Sequence, residues 1–123
     1  MLNRRTLLGS MGAATLMGSV TIAWGDEKMY IPLVSKGFQH QFWQAVKAGA
    51  DKAAAEFGVE VTFEGPDNET MVDKQIDMLS AALSKKPNAI GFAALDSKAA
   101  IPLLKKAQAA KIPVIAFDSG VDS

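Results

Sequence analysis

Between Met29 and Phe117, short apolar runs alternate with longer stretches of helical period. Met29 to Val34 is the first run and predicts a strand, with Pro32 marking an irregular start or a position whose amide no neighbour needs. Phe42, Val46, Gly49, Ala50, Ala53 and Phe57 then recur at three- and four-residue steps. They predict an amphipathic helix from Gln41 to Phe57, closed by Gly58 as its C-cap. Val59 to Phe63 alternates apolar with polar side chains, the period of a second strand. Gly65-Pro66-Asp67-Asn68 is a turn cluster, and Asn68 or Thr70 offers a cap to the next helix. That helix carries Val72, Ile76, Leu79 and Leu83 on one face and stops near Lys85-Lys86-Pro87, where cations suit the carboxyl end. Ala89 to Ala93 is nearly all apolar, as a strand covered on both faces is. Asp96 or Ser97 caps a third helix, whose apolar positions include Ala100, Leu104 and Ala107, with Ile101 and Leu103 beside them. Val114 to Phe117 is strand four, and Asp118-Ser119-Gly120 is a loop.

The predicted order is β-α-β-α-β-α-β, with helices long enough for right-handed crossovers, so the fold class is α/β with a doubly wound parallel sheet. The chain ends at Val121-Asp122-Ser123, directly after a strand and before any helix that covers that strand's second face. An incomplete lobe of a longer protein is therefore expected.

The first 25 residues follow a different pattern. Arg4 and Arg5 precede Leu7 to Ala23, an apolar stretch diluted by glycine, serine and threonine, and Ala23-Trp24-Gly25 places small residues where a signal peptidase reads. Charged Asp26-Glu27-Lys28 follows at once. The pattern predicts an export signal over residues 1–25, cleaved near Gly25, and hence a periplasmic mature chain. The paired arginines and weak hydrophobicity resemble a twin-arginine signal, with general secretory export as the alternative.

Lysines plus arginines equal aspartates plus glutamates, 13 each, so no basic field recommends nucleic acid as a partner. Without Arg4 and Arg5 the mature chain carries 11 basic against 13 acidic groups, a net charge of −2. There is no cysteine, which excludes disulfides, thiolate metal sites and a cysteine nucleophile. Strand one is not followed by a Gly-x-Gly-x-x-Gly turn, the chain has no Gly-Lys-Ser or Gly-Lys-Thr phosphate loop, and no Gly-x-Ser-x-Gly elbow activates Ser35 or Ser119. His40 has no second histidine to complete a metal site. Neither catalytic residues, nor a cofactor, nor a metal is expected.

Binding of a small neutral partner fits better. In a doubly wound sheet the loops at the carboxyl ends of the strands converge on one rim. The first loop carries Ser35, Lys36, Gln39, His40 and Gln41; the second, Asp67 and Asn68; the third, Asp96 and Ser97; the fourth, Asp118 and Ser119. Carboxylates and amides accept and donate hydroxyl hydrogen bonds, and aromatic faces cover the C–H side of a sugar ring. Phe42 lies on the helix's core stripe and serves core, ligand or both. Trp43 lies off that stripe and is expected exposed or turned to the rim. Asp67, Asn68, Asp96 and Ser97 serve as helix caps and turn formers as readily as ligand contacts.

The stretch Val34-Ser35 to Phe42-Trp43, its continuation Val46-Lys47-Ala48-Gly49-Ala50, the mid-helix Gln75, the Asp96-Ser97 turn and Ile112-Pro113-Val114-Ile115-Ala116-Phe117-Asp118 together resemble the amino-terminal portion of ribose-type periplasmic sugar-binding proteins. The resemblance covers nearly all of the mature chain. It implies a type I periplasmic-binding-protein fold in which residues 26–123 form most of the amino-terminal lobe, with sugar held between two lobes for delivery to the permease subunits of an ABC importer. It also implies that Phe42 and Trp43 correspond to the paired aromatics against the sugar ring and Asp118 to the carboxylate on its hydroxyls. Ser35 matches a polar position after strand one. The loop to Phe42 is one residue longer than in ribose binders and has Gln41 where they have proline, so Gln39 and His40 are candidate points of altered specificity. Ser119 stands where an arginine often follows the aspartate, a departure from ribose recognition. Two alternatives remain: a sensor presenting sugar to a chemoreceptor, or the sugar-binding core of a repressor, which an export signal in place of a DNA-binding element argues against. The 123-residue piece alone is expected to bind sugar very weakly or not at all, with one wall of the cleft absent.

Overall fold

Tyr30–Val34 forms β1, and it is the centre of the sheet. In a computed structural model, which describes residues 28–122, it pairs in parallel with β2 (Glu60–Glu64) on one side and β3 (Ile90–Phe92) on the other. β4 (Val114–Ala116) extends the sheet beyond β3, giving the order β2-β1-β3-β4 with every pair parallel. The export-signal reading falls on residues 1–25, outside the described residues.

Pro32 is tolerated in this central strand for a geometrical reason. Met29 and Ser35 bond to β2, whereas Tyr30 and Val34 bond toward β3. By the two-residue alternation of a strand, the missing amide of Pro32 faces β3, ahead of the first ladder pair, Leu33 with Gly91.

Three helices connect the strands: α1 (Gln41–Phe57), α2 (Val72–Ser84) and α3 (Ile101–Ala109). Alternation along the strands divides the core into two layers. Val34, Ile90, Phe92 and Ala94 pack with Leu79 and Ala82 of α2 and with Ala100 beside α3. The opposite layer gathers Trp43, Phe63 and Ala93, with Leu33, Phe38, Val46 and Phe117 around them. Helices on both faces make the sheet doubly wound, as the alternating pattern predicts. α1 ends as predicted at Gly58, whose φ of 65° and amide bond to Ala54 form the C-cap.

The caps of the other two helices differ from the prediction. Neither Asn68 nor Thr70 caps α2, whose N-cap position is Met71 without a side-chain bond. The Asn68 carboxamide oxygen instead accepts from the Thr70 amide and closes the preceding turn. Asp96 likewise accepts from the Lys98 and Ala99 amides at 3.0 and 2.7 Å, organising the turn before α3 rather than the helix itself, which begins after Ala100. Both side chains bond two or three residues ahead, and in each case the chain makes one further turn before the helix starts.

Candidate functional site

The strand order reverses direction at β1: the chain moves outward to β2, then crosses back to β3. Such switch points open a crevice at the carboxyl ends of the strands. Here β1 gives way to a loop held by two local bonds and one contact to β2. The Ser35 hydroxyl donates to the Gly37 carbonyl and lies 3.2 Å from the Glu64 carbonyl oxygen, while the Gln44 side-chain amide donates to the Phe38 carbonyl. Gly65 lets this loop cross β2's exit closely, because a Cβ there would stand 2.5 Å from the Gly37 oxygen. Gln75, fully buried in α2, ties the ends of β1 and β3 together. Its amide nitrogen donates to the Ser35 and Ala93 carbonyls, each at 2.8 Å, and its oxygen accepts from the Leu95 amide at 3.0 Å.

On this frame Lys36, His40, Phe42, Trp43, Glu69 and Asp118 line one cavity of about 320 Å³. A second, of about 600 Å³, shares His40, Trp43 and Glu69 and continues past Gln39, Gln41, Asp67 and Asn68. Both volumes lie in the range of small-molecule sites, roughly 300–1,000 Å³. The end of β3, where Ala93 and Ala94 are buried, lies between the ends of β1 and β4. At the rim the Lys36 ammonium meets Asp118 Oδ2 at 2.6 Å, with side chains 21% and 32% exposed.

Asp118 reaches the cavity through an unusual backbone. Its φ is 63°, in the left-handed region, and the Ser119 amide bonds back to the Phe117 carbonyl at 2.6 Å. Aspartate tolerates this region better than most residues.

Trp43, expected off the core stripe, is buried on it while lining the rim cavities, and Phe42, open to both core and ligand roles, is the exposed one. Trp43 is 2% exposed, and its indole N–H donates to Glu69 Oε2 at 3.1 Å. Phe42 is 56% exposed and meets the indole edge-on, centroids 4.7 Å apart. From Val46, positions 42 and 43 are four and three residues back, and both satisfy helical spacing. The core stripe passes through Trp43, whose larger ring fills the space between Phe63 and Phe117. The free ring face at the rim belongs to Phe42.

Among the remaining predicted site residues, His40 and Asp118 join the aromatics in the smaller cavity, and Gln39 lines the larger one. Ser35 is a correction: it is fully buried, with its hydroxyl spent on backbone carbonyls. Ser119 donates its hydroxyl to the Ala94 carbonyl at 2.6 Å and lines both an apolar groove with Leu104 and Ile112 and a small depression with Phe117 and Asp118. Glu69 is the residue that sequence reasoning missed. A tryptophan N–H that becomes buried needs an acceptor, and the acidic residue after Asp67-Asn68 was the available one.

The sequence pattern of the periplasmic binding protein domain matches residues 31–123. The chain belongs to that family. Its fold and identity agree with solved relatives. An ABC transporter protein of the LacI transcriptional regulator family from Brachyspira murdochii is 42% identical, with a TM-score of 0.72 over 76% of this chain and 29% of its own. A carbohydrate transporter solute-binding protein from Agrobacterium radiobacter, in complex with D-arabinose, is 37% identical, with a TM-score of 0.74 over 80% of this chain and 33% of its own. A periplasmic solute-binding protein from Actinobacillus succinogenes with bound D-allose is 26% identical, with a TM-score of 0.74 over 78% and 34%. The chain thus spans about a third of the length of these relatives. Its sheet and helices form the α/β architecture of type I periplasmic binding proteins, and several of its structural relatives capture sugars for ABC transport.

Proposed function

We propose that this protein is an exported solute-binding protein that captures a monosaccharide or similar polyol in the periplasm and delivers it to an ABC importer. The observation that carries the reading is the rim cavity itself, where an exposed aromatic face, Phe42, stands beside the paired charges of Lys36 and Asp118. The ring covers the apolar side of a pyranose or furanose, and the charged groups take its hydroxyls. His40 and Gln39 extend the polar lining along the lengthened first loop, and buried Trp43 supports Phe42 edge-on. Solved relatives bound to D-arabinose and D-allose support the ligand class. The paired arginines and apolar stretch of residues 1–25 support export. The mechanism needs no chemistry on the ligand: binding shifts an equilibrium between open and closed arrangements of two lobes, of which this chain supplies one wall.

The test is a thermal-shift screen of the protein as its gene encodes it against pentoses, hexoses, their deoxy forms and sugar alcohols, followed by calorimetry. A single sugar class that raises the melting temperature and binds at micromolar concentration or tighter is the expected result. A protein unmoved by every member of the panel refutes the reading.

A further inference from the structure

We propose that Glu69 is a positioning residue of the site: by holding the Trp43 indole, it sets the ring of Phe42 against which a sugar packs. The inference rests on the sugar-capture reading and adds to it a residue, from the loop after β2, that acts without touching the ligand.

Phe42 is more than half exposed, so the core does not hold its ring. The ring leans on the indole instead, with centroids 4.7 Å apart and ring planes at 80°. The orientation of Phe42 therefore follows that of Trp43. Packing against Phe63, Ala93 and Phe117 buries the indole, but apolar contacts are non-directional and leave it free to slide in its plane. Its N–H bond is directional. The acceptor, Glu69 Oε2 at 3.1 Å, comes from 26 residues further along the chain, so the bond pins the start of α1 to the loop after β2. A charged acceptor makes it stronger than a bond to a neutral one.

The first loop closes over this bond. A Cβ on Gly37 would stand 3.1 Å from Trp43 Nε1 and 3.6 Å from Glu69 Cγ, so the backbone there lies directly on the pair and screens that side from water. The location also argues for more than stability. Trp43 and Glu69 both line each of the two rim cavities, and their bond forms the wall that the cavities share.

The experiment titrates the sugar found by the screen into wild type, Glu69→Met, Glu69→Gln, Phe42→Leu and the Glu69→Met/Phe42→Leu double variant, in the protein as its gene encodes it. Methionine keeps the stem and removes the acceptor, whereas glutamine keeps an acceptor oxygen. Glu69 lies in an exposed loop, so both of its variants are expected to fold. Glu69→Met and Phe42→Leu each weaken binding about 10-fold, and Glu69→Gln stays within about threefold of wild type. The double variant binds about 10- to 30-fold more weakly than wild type rather than about 100-fold, because Glu69 acts through the ring that Phe42→Leu has already removed. A merely structural loss is the same with or without that ring. Glu69→Met affinity within about threefold of wild type overturns the assignment, as does a loss of about 100-fold in the double variant or a Phe42→Leu variant that binds normally. So does Glu69→Gln binding as weakly as Glu69→Met, which marks a carboxylate that reads the ligand itself. If no sugar or polyol binds wild type, the capture reading itself fails and the Glu69 assignment falls with it.

Discussion

Replacing Gln75 with methionine tests how the rim is held. The substitution conserves volume closely, so little of its cost comes from a cavity. It removes three hydrogen bonds: to the Ser35 and Ala93 carbonyls at 2.8 Å each, and from the Leu95 amide at 3.0 Å. At about 1 kcal/mol net per bond the loss is about 3 kcal/mol, rising toward about 6 kcal/mol if the freed backbone groups stay dry. That is a large share of a domain's stability of about 5–15 kcal/mol. Urea unfolding followed by circular dichroism measures it, and the midpoint should fall with little change in slope. The bonds join the ends of β1 and β3, so sugar affinity should fall as well, through misplacement of Lys36 and of Trp43, which packs on Ala93. A variant within about 1 kcal/mol of wild type would refute the argument that Gln75 fastens these strand ends.

Other substitutions probe different parts of the account. Gly65→Ala drives a Cβ into the Gly37 carbonyl, which no rotamer change relieves; unfolding experiments should show a loss of about 1–3 kcal/mol. Trp43→Ala and Phe42→Ala should separate core from ligand contact. The first costs about 3–5 kcal/mol of stability, whereas the second costs less than about 0.5 kcal/mol and appears in sugar calorimetry instead. The Lys98 and Ala99 amides bonded to Asp96 hold its carboxyl below the ordinary value of 3.8. A carboxylate whose folded pKa is depressed stabilises the fold above its unfolded pKa, and this contribution disappears as pH falls through the folded value. Wild type should therefore be more stable than Asp96→Ala at pH 7, and the difference should shrink below pH 3.8 in thermal melts across pH.

The alternation of strands and helices was legible because the half-covered elements repeat their own period and the strand covered on both faces, Ala89 to Ala93, is a short unbroken apolar run. The two-residue rhythm of Val59 to Phe63 and the three-to-four-residue rhythm after Gln41 need no tertiary information. Helix phase was less legible where two large apolar residues adjoin: Phe42 and Trp43 both fit the stripe through Val46, and only the space beside Phe63 and Phe117 selects the indole. Caps were legible as residue types but not as positions, since Asn68 and Asp96 bond locally to turns that precede α2 and α3. His40, Phe42, Trp43 and Asp118, distant in sequence or adjoining, line one cavity. The Ser35 and Ser119 hydroxyls instead bond backbone carbonyls, Gly37 and Glu64 for the first and Ala94 for the second, and the contacts to Glu64 and Ala94 are set by the sheet and not by local sequence. For the same reason the Lys36–Asp118 contact emerges only from the sheet order, which brings the ends of β1 and β4 to either side of β3.

Asp118→Asn tests the central claim most directly. Asparagine also accepts the left-handed backbone at this position, so the fold and the tight turn to Ser119 should survive. The substitution removes the carboxylate that meets Lys36 and, in this account, a sugar hydroxyl. Calorimetry with the sugar identified for wild type should show affinity reduced about 10- to 150-fold, with the melting temperature within about 4 °C of wild type. Undiminished sugar affinity in Asp118→Asn would contradict the assignment of the Phe42 and Asp118 rim as the binding site.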